Sequence, residues 1–176
     1  MSRSIVRRDT LVPASSHRTR GRAEARRDEI SEYLAFGLAG ERFALPLASI
    51  REILKLTPIT EVPRSPEAVL GILSVRGRIT MVIDLRLRVG MPAAERSKGS
   101  RILLVDGGAE VLGLLVDVVH HVVRLHDDEI ELGAVVAGDL SEYVFGIGRP
   151  GGIDAAVDGE DILILLDPGP LLRKSP

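Results

Sequence analysis

From Tyr33 onward the chain reads as short apolar runs broken by glycine or proline at intervals of roughly ten residues, the spacing of a β-rich domain. Tyr33–Phe36 and Phe43–Leu45 flank Gly37–Arg42 and predict a hairpin whose turn contains Gly40. Pro58, Pro63 and Pro66 remove three backbone donors within nine residues, so Thr57–Pro66 is expected as a loop or sheet edge, with at most one helical turn over Pro66–Val69. Gly71–Val75 and Ile79–Ile83 predict two further strands around a tight Arg76–Gly77 turn. Asp84–Val89 predicts a short helix, N-capped by Asp84 and ended by Gly90. A polar loop over 92–100 then leads into a hairpin of Ile102–Val105 and Val111–Val116, turned at Gly107–Gly108.

The pattern restarts after the first ninety residues. Ile50–Leu56 lines up without a gap with Val119–Leu125, each following a glycine-turned hairpin, which marks an internal duplication. Half-domains of a few short strands cannot bury both faces of an open sheet. Each is therefore expected to curl into a small barrel and pack against its copy, the first unit finishing at Gly90. The fold class is mainly all-β, two packed barrels with short helices. Tyr33, Phe36, Phe43, Tyr143 and Phe145 are the only aromatics, so branched aliphatics must fill the shared core.

With 176 residues, 45% of them hydrophobic and 27% charged, the chain has the balance of one ordinary soluble domain. The absence of cysteine excludes disulfides, thiolate metal sites and a cysteine nucleophile, and fits a reducing cytoplasm, the expected location. No run approaches the ~18 to 20 apolar residues of a membrane-spanning helix, so no membrane insertion is expected. Residues 1–30 carry eight arginines against four acids, a net of +4, which leaves −6 of the overall −2 for residues 31–176. They lack the apolar core of a secretory signal. The expected organisation is a mobile arginine-rich tail over 1–30 and a folded domain over 31–174. The tail reads as a solubilising extension, or alternatively as an arm for an acidic partner, nucleic acid or anionic lipid.

Candidate chemistry is sparse. His120, His121 and His126 near Asp117, Asp127 and Asp128 suggest a metal site, but adjacent histidines on a strand point to opposite faces, so no metal is expected. Asp84, Asp117 and Asp167 end aliphatic strands, where aspartate commonly caps the next turn. Gly146-Ile147-Gly148 is a lone GxG, Gly151-Gly152 lacks the lysine of a phosphate loop, and neither Ser74 nor Ser141 sits in a nucleophile elbow. Neither catalysis nor a cofactor is expected. Single-stranded nucleic acid calls for aromatics interleaved with basic residues, which the acidic, aromatic-poor barrel region lacks. A charge at an apolar turn, Arg76, points instead to a protein partner. An aliphatic groove between barrels, edged by Arg76 and Glu52, would suit an amphipathic helix.

These residues resemble the CheW family of chemotaxis coupling proteins over about 32–173. The resemblance runs through Tyr33–Phe36, Phe43–Leu47, Ile50–Leu54, Pro63, Pro66, Gly71, Val75-Arg76-Gly77, Asp84-Leu85, Gly113–Asp117, Val119, Val122 and Leu165–Asp167. It implies two SH3-like five-stranded barrels without catalytic activity, intertwined as subdomains of one domain, joining chemoreceptors to a CheA-type histidine kinase. It further implies that the signalling tip of a methyl-accepting receptor docks between the barrels at Ile50, Glu52, Gly71, Arg76 and Val122, with Gly77 and Asp84 as structural turn residues. The kinase's CheW-like regulatory domain would pair barrel to barrel.

The chain departs from the family where proline is usual and Met81 stands, where asparagine is usual and Ser74 stands, in a longer Gly151–Gly159 stretch, and in its tail. Met81 restores a backbone donor that proline would remove, expected as an edge hydrogen bond. The second reading is a divergent paralogue that binds only receptor or only kinase. Remote alternatives are a small barrel enzyme using Asp84, Asp117 and His121, or a nucleic-acid module acting through the tail.

Overall fold

A computed structural model describes residues 29–133, 138–152 and 162–173. The predicted tail therefore lies outside the described residues except at its end, where Ile30 opens the first strand, and most of the long Gly151–Gly159 stretch lies outside them too. Strands β1 (Ile30–Leu38) and β2 (Glu41–Pro46) form the first hairpin, turned by Ala39 and Gly40, both at positive φ. A 3-10 turn at Leu47–Ser49 feeds β3 (Ile50–Lys55). The proline-rich loop follows, then β4 (Val69–Val75), β5 (Arg78–Asp84) and the one-turn helix α1 (Leu85–Arg88). The second half holds β6 (Arg101–Asp106), β7 (Val111–Val116), β8 (Val118–His126), β9 (Ile130–Leu132), β10 (Val144–Gly148), β11 (Leu163–Leu166) and α2 (Pro168–Leu172).

The strands form two sheets, in the orders β8-β1-β2-β11-β10-β9 and β3-β6-β7-β5-β4. The duplication is real, and its copies are interlocked. Each half contributes its first hairpin to the sheet completed by the other half: β1–β2 sits between β8 and β11, and β6–β7 sits between β3 and β5. This corrects the expectation of sequential units closing at Gly90. In both sheets the fifth strand of the repeat runs parallel to the hairpin, as β11 beside β2 and β5 beside β7. The aligned segments become β3 and β8, each at a sheet end. The six-stranded sheet gains β9, whose counterpart in the other sheet is an isolated bridge between Thr60 and Ile72. The loop and sheet-edge character of Thr57–Pro66 is thus observed. Met81 lies on β5 between β4 and β7, so it is an interior-strand residue and not an edge one.

Packing follows the topology. The largest cluster lies between the sheets and draws on both: Phe36, Phe43 and Leu45 from the first hairpin meet Leu103, Leu112 and Leu114 from the second, with Leu85, Leu166 and Leu171 alongside. Each sheet also encloses its own small core, Ala35, Ala44, Leu125 and Leu165 in one, Leu73, Val82, Ile102 and Leu104 in the other. Gly113 and Gly148 leave room for this closeness, since a Cβ would come within 2.9 Å of Ile102 and 2.6 Å of Leu125 respectively. Asp84 and Asp167 play matching parts. Asp84 accepts from the backbone N–H of Arg86 at 2.9 Å, Asp167 from that of Gly169 at 2.8 Å, and each caps the helix that follows its strand.

Candidate docking site

The Arg76–Gly77 turn joins β4 to β5 as a two-residue loop, with Val75 facing Arg78 and φ of 50° and 79° at its centre. Positive φ at both central residues is the hairpin geometry that matches the right-handed sheet twist and that Gly and Asn ordinarily occupy. Arg76 adopts it nonetheless, and its side chain stands 80% exposed. Its Nη2 donates to Glu52 Oε1 at 2.9 Å. Glu52 is on β3, and β3 and β4 are the opposite ends of the five-stranded sheet. The sheet has therefore curled until its ends meet, and the ion pair bridges the seam.

Beside the seam lies a cleft of about 400 Å³ with Val75, Leu104 and Val111 as apolar floor and Arg51, Glu52, Arg76, Arg78 and the buried Thr80 around them. Two successive residues of one strand ordinarily face opposite sides. A bulge in the β3–β6 pairing between Ile50 and Glu52 re-aims this strand, so Arg51 and Glu52 both reach the cleft. Arg51 Nε donates to Asp106 Oδ2 at 3.0 Å. The Gly108 N–H first, and then Arg51, hold the Asp106 carboxyl below the usual carboxylate range. Arg51 with Asp106 and Arg76 with Glu52 thus form two ion pairs at the cleft that stay open to water.

Of the other residues expected at a receptor contact, Ile50 is half-buried against the shared core. Val122 stands 43% exposed on β8, the end strand of the other sheet. Its counterpart in the repeat, Ile53, is also 43% exposed. Gly71 is buried. Its φ is 141°, and a Cβ there would lie 2.1 Å from the Thr60 carbonyl oxygen, so its place is to let Thr60 bridge to Ile72. Structure thus brings Glu52 and Arg76 together, sets Gly77 in the turn and Asp84 at the helix cap. Arg51, Arg78 and the apolar floor were missed, and the bulge that gathers them has no local sequence signal.

The carboxylates and histidines form no reactive group. Asp117 joins three segments: it accepts from the Ala39 N–H at 2.8 Å and forms a two-toothed ion pair with Arg86, whose Nε lies 2.8 Å from Oδ1. Burial raises the Asp117 carboxyl, but Arg86 and the Ala39 N–H together outweigh it and hold the group below its usual range. A bulge in β8 opposite Ala35 breaks the alternation expected of His120 and His121, leaving both exposed. Burial, then Arg42 and His121, shift His120 further toward its neutral form. Among the described residues no three His, Asp or Glu side chains cluster as metal ligands would. No described helix is long and apolar enough to cross a membrane.

Two interlocked barrels that share an aliphatic core and offer a charged rim over an apolar cleft define a docking scaffold. The chain belongs to the CheW-like domain family, whose model matches residues 32–175. It is 30% identical over 122 residues to a chemotaxis protein CheW of Helicobacter pylori, covering 69% of this chain and 74% of that protein. It is 26% identical over 137 residues to Protein FrzA of Myxococcus xanthus, covering 77% and 84%. Among solved structures it resembles the scaffolding protein TtCheW of Thermoanaerobacter tengcongensis, with a TM-score of 0.72 and 31% identity over 81% of this chain and 92% of that one. The chain is a chemotaxis coupling adaptor.

Proposed function

We propose that this adaptor works in the cytoplasm without catalysis, joining the signalling tip of methyl-accepting chemoreceptors to the regulatory domain of a CheA-type histidine kinase. The observation that carries this reading is the Glu52–Arg76 pair at the seam of the five-stranded barrel, beside an apolar floor. A helical tip can lay aliphatic side chains on Val75, Leu104 and Val111 while its charges exchange with Arg51, Glu52, Arg76 and Arg78. In this reading the half-buried Ile50 and the exposed Val122 add apolar contacts outside the cleft, and Gly71 acts by shape, since Thr60 covers it. The kinase's own CheW-like domain, with the same barrel architecture, would pair with this one barrel to barrel.

Titration of the full chain with a receptor signalling domain and, separately, with a kinase regulatory domain tests the reading. Saturable binding to both is expected. Binding to neither would overturn it, and binding to one alone would make the chain a specialised paralogue with a single partner.

A further inference from the structure

An apolar cavity of about 250 Å³ opens beside the shared core. Ala68 and Val69 where β4 begins, Met81 and Ile83 of β5, Leu112 of β7 and Leu172 of α2 wall it. Ile83, Leu112 and Leu172 are buried members of the shared core, and Ala68 and Met81 pack against it. Successive residues of a strand face opposite sides, so Thr80 lines the Arg76 cleft and Met81 this cavity. Register sets the cavity apart from Ile50 as well: Ile50 faces Val105 and Val105 faces Leu112, which puts β6 between them. Charge at the cavity has one sign. Arg88 of α1 and Arg173, just after α2, line it, and among the described residues no carboxylate does. Arg88 is fixed in place: it donates to the Leu171 carbonyl at 3.2 Å and to the Arg173 carbonyl, and its guanidinium lies 5.9 Å from the Tyr143 ring centroid. Arg173 is exposed and forms no ion pair among the described residues.

We propose that this cavity binds a small free monocarboxylate, its aliphatic body against Met81, Ile83, Leu112 and Leu172 and its carboxylate at Arg173, in the positive field of Arg88. The walls choose the body. A sugar or nucleotide would leave hydrogen-bonding groups unpaired against these aliphatic side chains, which an alkyl chain does not. A dry apolar cavity of about 150 Å³ holds benzene, so one of about 250 Å³ takes a body of about six to eight carbons. The cations choose the head: an amine would meet like charges, whereas a carboxylate matches the guanidinium fork with both oxygens. Walls from β4, β5, β7 and α2 surround the body on several sides, which suits a free molecule better than a helix laid along an open groove. The bound ligand would tie α2 to the base of the β4–β5 hairpin, whose far end carries the Arg76–Gly77 turn.

Methyl-detected NMR titration of the full chain with straight-chain carboxylates from butanoate to decanoate tests this. Saturable shifts are expected at the methyl groups of Ala68, Val69, Met81, Ile83, Leu112 and Leu172, and none at Val75, Leu104 or Val111 of the Arg76 cleft. Affinity should rise about three- to fourfold with each added methylene, the effect of burying one CH₂. The rise should stop at about eight carbons, when the cavity is full. Octylamine should bind more weakly than octanoate, and Arg173→Gln should weaken octanoate about two- to fivefold, the range of an exposed ion pair, with Tm unmoved. Ala68→Leu, which fills the cavity, should abolish the shifts, and the chain-length series in the parent protein stands however that variant folds. Absent or surface-wide shifts, an affinity indifferent to chain length, octylamine binding as tightly as octanoate, or unchanged affinity in Arg173→Gln would overturn the proposal. Shifts at these methyl groups only on adding a receptor signalling domain or a kinase regulatory domain would assign the cavity to a partner's side chain and overturn it equally.

Discussion

Gly71→Ala separates a packing role from a contact role at one position. The new Cβ would stand 2.1 Å from the Thr60 carbonyl oxygen and 2.7 Å from its carbon, so backbone must move. The bridge that moves first is the reciprocal pair Thr60 N–H to Ile72 O at 2.9 Å and Ile72 N–H to Thr60 O at 2.8 Å. Two backbone hydrogen bonds contribute about 1 to 3 kcal/mol together. Holding a side-chain-bearing residue at φ 141° adds about 1 to 3 kcal/mol. The expected loss is then about 2 to 6 kcal/mol, or roughly 5 to 20 °C in Tm for a domain of this size. Gly146 is the internal control, since it occupies the matching bulge in β10 and its Cβ would meet the Glu131 carbonyl oxygen at 2.9 Å without a positive φ. Gly146→Ala should therefore cost less, by about the 1 to 3 kcal/mol of backbone strain. Denaturant unfolding of both variants reads these values. A Gly71→Ala protein as stable as the parent but unable to bind receptor would refute the packing argument and make Gly71 a direct contact.

Arg76→Ala is expected to weaken receptor binding by about 1 to 3 kcal/mol. The exposed Glu52 pair it removes is worth about 0.2 to 1 kcal/mol of stability, so Tm should barely move; a large fall in Tm would make Arg76 structural. Asp84→Ala removes the acceptor for the Arg86 and Leu87 N–H groups and should cost about 1 to 2 kcal/mol by denaturant unfolding, with binding unchanged once folded. Because Asp117 is held below its ordinary value in the folded chain, its contribution is complete above the unfolded carboxylate pKa of about 3.9 and is lost as pH falls through the lower folded value. Stability measured from neutral to strongly acidic pH should fall less steeply in Asp117→Asn, and an unchanged slope would refute the assignment.

What was legible in the sequence was local. Arg76–Gly77 and Gly40 announced tight turns, Asp84 announced a cap, and the prolines announced a loop, because each acts on backbone within a few residues. Aligning Ile50–Leu56 with Val119–Leu125 even found the repeat. What it hid was which copy completes which sheet. Pairings such as Ile30 with His126 and Phe43 with Ile164 join positions far apart in the chain, and an aliphatic hairpin fits either barrel equally well by pattern. The Arg86–Asp117 pair, 31 residues apart, was invisible for the same reason, so Asp117 read as a turn residue. Bulges defeated the alternation rule twice, at Arg51 and at His120-His121, since one extra residue reverses the face of everything beyond it.

The seam explains why a charge at an apolar turn suits a coupling protein. Closure of the five-stranded barrel brings Arg76 to Glu52, yet closure does not depend on that pair. Leu73, Val82, Ile102, Leu104 and Leu115 form the barrel's inner core, and each large aliphatic that leaves water contributes about 1.5 to 3 kcal/mol. The ion pair, with Arg76 80% exposed, contributes a fraction of one such residue. Arg76 can therefore leave Glu52 for a partner's carboxylate at small cost, and Glu52 can accept a partner's cation in exchange, while the walls that hold both in place stay shut. A buried pair at the same seam would lock the barrel but could not be traded, and an apolar turn would dock without choosing its partner. A weak pair on a strongly packed closure gives a rigid surface with exchangeable charges, which suits the receptor contact proposed for this cleft.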